Sequence, residues 1–150
     1  MLLAPADRKP KAVRIHKDLR AHPHRALVLG PVLARVGRPR PSVVHALAGI
    51  LRDCCVPQAR SGPRPMRETG AGVPECLTCA TGPDLADWRR VGTALGAVSL
   101  EGKKRPDAVA AWVAFAAAKH DGAIIFTSDP SDLQAYLDVL NPPDVHVVSV

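Results

Sequence analysis

The last third of the chain has the clearest alternation of hydrophobic and polar positions. An alanine-rich apolar run after Asp107 predicts a helix that ends near Lys119. The apolar run 123–127 predicts a strand, residues 130–140 have helical spacing, and residues 145–150 predict a final strand. Because these elements alternate and their turns are short, we expect an α/β fold built on a parallel sheet.

Earlier segments have weaker patterns of the same kind. Residues 11–20 carry apolar side chains near helical spacing, and the apolar run 26–29 predicts a strand buried on both faces. A helix is expected to begin in 32–36. Ser42 can cap a further helix that ends near Arg52.

The middle of the chain combines an irregular segment with one amphipathic helix. Five prolines and four glycines fall between Pro57 and Pro83, within 27 residues, and predict an irregular segment. The helix that follows is expected to turn four side chains inward: Leu85, Trp88, Val91 and Leu95.

Length and composition indicate one globular domain of 150 residues. The longest uncharged apolar run, Ala108 to Ala118, has 11 residues, whereas a membrane-spanning helix needs about 20. Met1 to Ala4 is too short for the apolar part of a secretory signal, so we expect a cytoplasmic protein without a membrane partner and with reduced cysteines.

The net charge of +6 is unevenly distributed and favours a polyanionic partner. Residues 1–67 contain 14 basic and 3 acidic side chains, whereas residues 106–150 contain 1 basic and 6 acidic ones. The basic N-terminal cluster includes Arg35 and Arg38 and could hold phosphates, although such clusters are more often solvated surfaces.

Two aspartates in the C-terminal third form a candidate metal site. The helix after Asp107 runs roughly 20 Å, and the strand before Asp129 returns roughly 16 Å, so both residues should lie at one end. That end is the carboxyl edge of the strand, where open α/β sheets bind ligands. Two carboxylates suit Mg²⁺ and metal-assisted phosphodiester hydrolysis. The alternative is that Asp107 and Asp129 simply cap helices.

These residues also carry a family resemblance. The block PDAVAAWVAFAAAKHDGAIIFTSDPSDL (106–133), followed by the strand 145–150, resembles the C-terminal half of PIN domains. More narrowly it resembles VapC-type toxin ribonucleases of bacterial toxin–antitoxin pairs. The run LVLGPVLARV (27–36) is similar to that family's second strand and following helix. The irregular segment 57–83 has no counterpart.

The resemblance implies a three-layer α/β fold, Mg²⁺-dependent RNA cleavage, a cognate antitoxin partner and a homodimer. It places metal-binding and catalytic roles on Asp107 and Asp129, with Thr127 and Ser128 as hydroxyl neighbours that could contact substrate. The chain begins at residues similar to those just after the family's first aspartate, so the first strand is expected to be missing.

Two further acidic positions of the family carry cations here. Arg35 stands where the family often has a glutamate, and Lys103 or Lys104 stands at an acidic position just before the helix that follows Asp107. Three functions therefore remain as hypotheses. They are a ribonuclease with an incomplete acidic site, an inactive PIN remnant that binds antitoxin or RNA without cleaving, and a zinc-bound nucleic-acid-binding module.

The zinc hypothesis depends on four cysteines. Cys76 and Cys79 have the C-x-x-C spacing, and Cys54 and Cys55 are adjacent, so two pairs could close a tetrahedral zinc site. Adjacent cysteines are a poor zinc knuckle. The alternative is that Cys54 and Cys55 lie on a strand as small buried hydrophobic residues.

Overall fold

The computed structural model describes residues 10–21, 26–36, 54–55, 83–100, 102 and 104–150. The chain divides into two compact units, 1–82 and 83–150. Both combine helices with parallel strand pairs, so the protein is mixed α/β, as expected. Within the described ranges, no helix has the length and apolar character that crossing a bilayer requires.

The first unit contains two helices and one pair of short parallel strands among its described residues. The predicted first helix and the predicted strand are confirmed, although only two residues of that strand pair with a neighbour; Val28 and Leu29 continue it as buried chain. The predicted helix after Ser42 lies outside the described residues, as does nearly all of the segment 57–83. The elements are α1 (Pro10–Ala21), β1 (Ala26–Leu27), α2 (Gly30–Val36) and β2 (Cys54–Cys55), with Ala26 opposite Cys54 and Leu27 opposite Cys55.

The second unit has the order helix, helix, strand, helix, strand. Its two strands pair in parallel from Ala123 opposite Val145 to Thr127 opposite Ser149. The predicted bounds of the last two helices and the two strands agree with these elements to within one residue. The elements are α3 (Leu85–Ala97), α4 (Ala108–Ala118), β3 (Ala123–Thr127), α5 (Pro130–Leu140) and β4 (Val145–Ser149).

The core of the second unit is built around α4. Its alanines leave little side-chain volume, so α3 and α5 pack closely against it, and β3 lies beside it. Helix α5 contributes a fully buried tyrosine and two leucines to the same core. The buried side chains of α4 and α5 are Ala111, Trp112, Ala114, Phe115, Ala116, Ala117, Leu133, Tyr136 and Leu137.

Helix α3 buries Val91, as expected, but the rest of its buried face differs from the predicted one. Leu85 is 66% exposed and Trp88 is 48% exposed, so the prediction that both point inward was wrong. Val91 and Ala94 are buried together with Asp87, because these positions recur at helical spacing on one side. Trp88 lies at the edge of that face and stacks on the buried Trp112, with ring centroids 4.6 Å apart.

Asp87 joins α3 to the end of α4. It forms a capping box with Asp84, and its Oδ2 also accepts a hydrogen bond from Lys119 Nζ at 2.8 Å. Burial raises the pKa of Asp87, but the hydrogen bond from Lys119, the backbone amide of Asp84 and the nearby positive charges outweigh it and hold the pKa below its usual value. The Asp87 carboxylate is therefore ionised at neutral pH.

Helix α5 ends in a left-handed residue. Asn141 has φ 47° and donates its N–H to the carbonyl of Leu137 at 2.7 Å. Asparagine tolerates this conformation better than most side chains, and the turn brings the chain into β4.

Candidate functional site

The two predicted site aspartates stand at the N-termini of two helices. Asp107 precedes α4, and Asp129 follows β3 and precedes α5. Both positions lie at the end of the second unit that contains the carboxyl end of β3. Asp107 contacts Tyr136 of α5, and Asp129 contacts Lys104 of the loop before α4.

Tyr136 links Asp107 to α5. Its side chain is fully buried, and its Oη accepts a hydrogen bond from the backbone N–H of Asp107 at 2.7 Å. Burial raises the pKa of Tyr136, as do the negative charges of Asp107 and Asp132, and these effects outweigh the lowering by the Asp107 N–H. The phenol is therefore neutral over the physiological range, and it fixes where α4 begins relative to α5.

Lys104 joins the two acidic residues at the start of α5. Its Nζ lies 2.7 Å from Asp132 Oδ1 and 3.3 Å from Asp129 Oδ2. We call these three residues the Lys104 bridge. The lysine is half-exposed, and Asp132 is the less exposed of its two partners. A cation from the loop before α4 is thus held against carboxylates of α5.

The charges of the bridge stabilise one another. The hydrogen bond to Asp132 raises the pKa of Lys104, and the interactions with Asp129 add to this against a smaller opposing effect of burial. Burial also raises the pKa of Asp129, but the hydrogen bonds from Ser131 and Lys104 outweigh it, so that pKa is below its usual value. At neutral pH the ammonium of Lys104 therefore faces the ionised carboxylate of Asp129.

The capping alternative holds for Asp107. Its Oδ1 accepts a hydrogen bond from the N–H of Val109 at 2.9 Å, as an N-cap carboxylate does. Asp129 occupies the N-cap position of α5 ahead of Pro130, as expected, but its side chain makes no capping hydrogen bond with the helix backbone. Its Oδ1 instead accepts from Ser131 Oγ at 3.1 Å. Both aspartates thus have structural roles, which are compatible with a second role as ligands.

The two hydroxyl residues expected beside Asp129, Thr127 and Ser128, differ from each other in their surroundings. Thr127 Oγ1 accepts a hydrogen bond from the N–H of Asp129 at 3.0 Å, so Thr127 shapes the turn after β3. Ser128 is exposed beside it. Arg35 belongs to α2 in the other unit, but its side chain lies outside what the structure describes, as does all of Arg38.

The donor set suits a hard divalent cation in type but is small. Mg²⁺ in proteins commonly uses one or two carboxylates and completes its shell with water and substrate phosphate. Asp107 and Asp129 could provide the carboxylates. Across the described ranges, no three His, Cys, Asp or Glu side chains form a group that could hold a metal. Cys54 and Cys55 lie on β2, as the strand alternative predicts, and Cys76 and Cys79 lie outside the described residues.

Three residues of this region were not among the predicted site residues: Lys104, Asp132 and Tyr136. The resemblance marked Lys103 or Lys104 only as a charge reversal. The chain has one tyrosine, and its place seven residues after Asp129 puts it two helical turns along α5, which is the signal that could have found it.

Comparison with protein-family models, with curated proteins and with solved structures finds no match.

Proposed function

We propose that the chain is a PIN-like domain of the VapC type that acts on RNA as a Mg²⁺-dependent endoribonuclease. The observation that supports this most is the placement of Asp107 and Asp129 at the carboxyl end of the parallel strand β3. Ligands of open α/β sheets bind at that edge. A cognate antitoxin and a homodimer belong to the same proposal, because the family resemblance implies both.

The residues at this end have separate tasks in the proposed reaction. Asp107 and Asp129 would hold Mg²⁺, which when bound activates water and neutralises charge on the phosphate. Tyr136 positions Asp107 through its backbone N–H, and Thr127 orients Asp129 in the same way. A phosphate that approaches this edge would meet the carboxylates of Asp129 and Asp132 beside Lys104, so the charge of a bound Mg²⁺ would favour its approach.

A second function is favoured by the Lys104 bridge. Lys104 already supplies a cation to Asp129, so the acidic edge is partly neutralised by the protein itself. A domain of this kind could bind RNA or an antitoxin without cleaving RNA. The two functions share the fold and the edge but differ in whether added Mg²⁺ leads to hydrolysis.

Cleavage of a fluorescently labelled RNA distinguishes these functions. The full chain is incubated with the RNA in Mg²⁺ or in EDTA, and Asp107→Asn and Asp129→Asn are compared with Asp138→Asn. Asparagine keeps the cap at 107, and Asp138 is an exposed carboxylate further along α5. We expect Mg²⁺-dependent cleavage that falls at least 100-fold in the first two variants and is unchanged in the third.

The same experiment has two contrary results. Equal cleavage by Asp107→Asn, Asp129→Asn and the native chain would contradict the assigned site. RNA binding detected by fluorescence anisotropy, with no cleavage by the native chain in Mg²⁺, would support the second function instead.

A further inference from the structure

A lysine contacts the acidic edge of the second unit. Lys104 Nζ lies within hydrogen-bonding distance of one carboxylate oxygen on each of Asp129 and Asp132. Asp129 is one of the two residues that would hold Mg²⁺. A divalent ion held by Asp129 would therefore share that carboxylate with Lys104, whose Nζ lies 3.3 Å from its Oδ2.

We propose that Lys104 is a built-in competitor that lowers the affinity of the acidic edge for divalent cations. The inference rests on the proposed function, because it concerns the Mg²⁺ site assigned there. In the native chain the ammonium partly neutralises Asp129 and Asp132, and a divalent ion binds Asp129 only after it displaces this group.

Because the bridge is exposed to solvent, Lys104 would compete with a metal ion but would not exclude it. Its side chain is 46% exposed and that of Asp129 is 53% exposed, so water and ions reach both groups. Ion pairs that are open to solvent are individually weak, which makes the ammonium displaceable. Lys104 also holds Asp132, the less exposed partner, at the shorter distance of 2.7 Å. The ammonium can therefore leave Asp129 while it remains on Asp132.

The neighbouring residue Arg105 has the same charge as Lys104 but different contacts. Arg105 follows it directly in the loop and is exposed, but among the described residues it forms no ion pair with the acidic edge. The proposal therefore predicts that the effect on cation binding comes from contact and not from general positive charge. This difference provides a matched control of equal charge.

Mn²⁺ binding, followed by electron paramagnetic resonance with Mg²⁺ as a competing ion, tests the proposal without any measurement of RNA. The native chain is compared with Lys104→Met and Arg105→Met, and with Lys104→Met combined with Asp129→Asn. We expect Lys104→Met to bind Mn²⁺ at least about fivefold more tightly than the native chain, since two weak ion pairs and one repulsion are removed. Arg105→Met should stay within about twofold of the native chain, and the double variant should lose the gain.

Three results would overturn the inference: Mn²⁺ affinity of Lys104→Met equal to that of the native chain, an equal gain in Arg105→Met, or a gain that survives Asp129→Asn. Lys104→Gln serves as a second neutral variant if Lys104→Met does not fold, as judged by tryptophan fluorescence. A fivefold gain in Mn²⁺ affinity without RNA cleavage would contradict the proposed ribonuclease while leaving the inference intact. RNA cleavage together with an unchanged Mn²⁺ affinity of Lys104→Met would support the proposed ribonuclease and contradict the inference about Lys104.

Discussion

The ion pair between Asp87 and Lys119 yields the most specific stability prediction. Lys119 Nζ lies 2.8 Å from Asp87 Oδ2, and the two side chains are only 27% and 10% exposed. Lys119→Met keeps the aliphatic stem against the core but leaves the Asp87 carboxylate without its counter-ion. The capping box with Asp84 stays in place, because it uses the backbone amide of Asp84 and not Lys119.

The expected loss lies between two limits. Breaking a fully buried pair costs roughly 3–5 kcal/mol, because it strands a buried charge. An exposed pair contributes roughly 0.2–1 kcal/mol. Since Asp87 is nearly buried and Lys119 is partly solvated, we expect Lys119→Met to lower the free energy of unfolding by about 2 kcal/mol. Asp87→Asn should cost about the same, and the double-mutant coupling should be about 1–2 kcal/mol.

Urea unfolding followed by tryptophan fluorescence measures this loss directly. The chain has two tryptophans, Trp88 on α3 and Trp112 on α4, and their stacked rings report the separation of the helices that the ion pair connects. A loss of about 2 kcal/mol corresponds to a midpoint lower by roughly 1–2 M urea. Arg89→Met, which removes an exposed charge from α3, should leave the midpoint nearly unchanged. A coupling below about 0.3 kcal/mol would show that this reasoning about burial is wrong.

Three further predictions concern the same unit. Tyr136→Phe removes the acceptor of the Asp107 amide and should cost about 1–2 kcal/mol in chemical denaturation; a loss no larger than that of an exposed control would mean that water replaces the phenol. Asn141→Ala should cost about 1 kcal/mol and Asn141→Gly should be neutral or slightly stabilising, because only the alanine is strained at φ 47°; equal melting temperatures for the two would contradict this account. The pKa of Asp87 is lowered on folding, so its contribution to stability is complete above the unfolded value near 4 and is lost as the pH falls through the folded value; the difference in unfolding free energy between the native chain and Asp87→Asn should shrink below about pH 4, and a constant difference would refute this.

The elements that could be predicted best from the sequence are those with strong local signals at both ends. Asp107 precedes α4, Pro130 begins α5, and the turn that includes Gly122 precedes β3, so short-range chemistry determines these bounds. The inward face of α3 could not be predicted as well. Hydrophobicity alone assigns Leu85 and Trp88 to the core, but a capping carboxylate that pairs with Lys119 turns the Asp87 side of the helix inward.

Part of the candidate site could also be predicted from the sequence. Counting the lengths of a helix and a strand is enough to place Asp107 and Asp129 at one end, because both lengths are nearly constant per residue. The partners of Lys104 could not be obtained in this way. They depend on the course of the loop before α4 and on contacts 25 and 28 residues away along the chain, which no local pattern encodes.

The hydrogen bond from the Asp107 amide to Tyr136 also makes that amide a reporter of unfolding. Its partners are 29 residues apart, and the chain between them contains all of α4 and β3. Fraying of the first turn of α4 alone does not free this N–H, because its acceptor is a buried phenol on a different helix. The Asp107 amide should therefore exchange its hydrogen with solvent at the rate set by cooperative opening of the second unit, whereas amides at helix ends commonly exchange through local fluctuations.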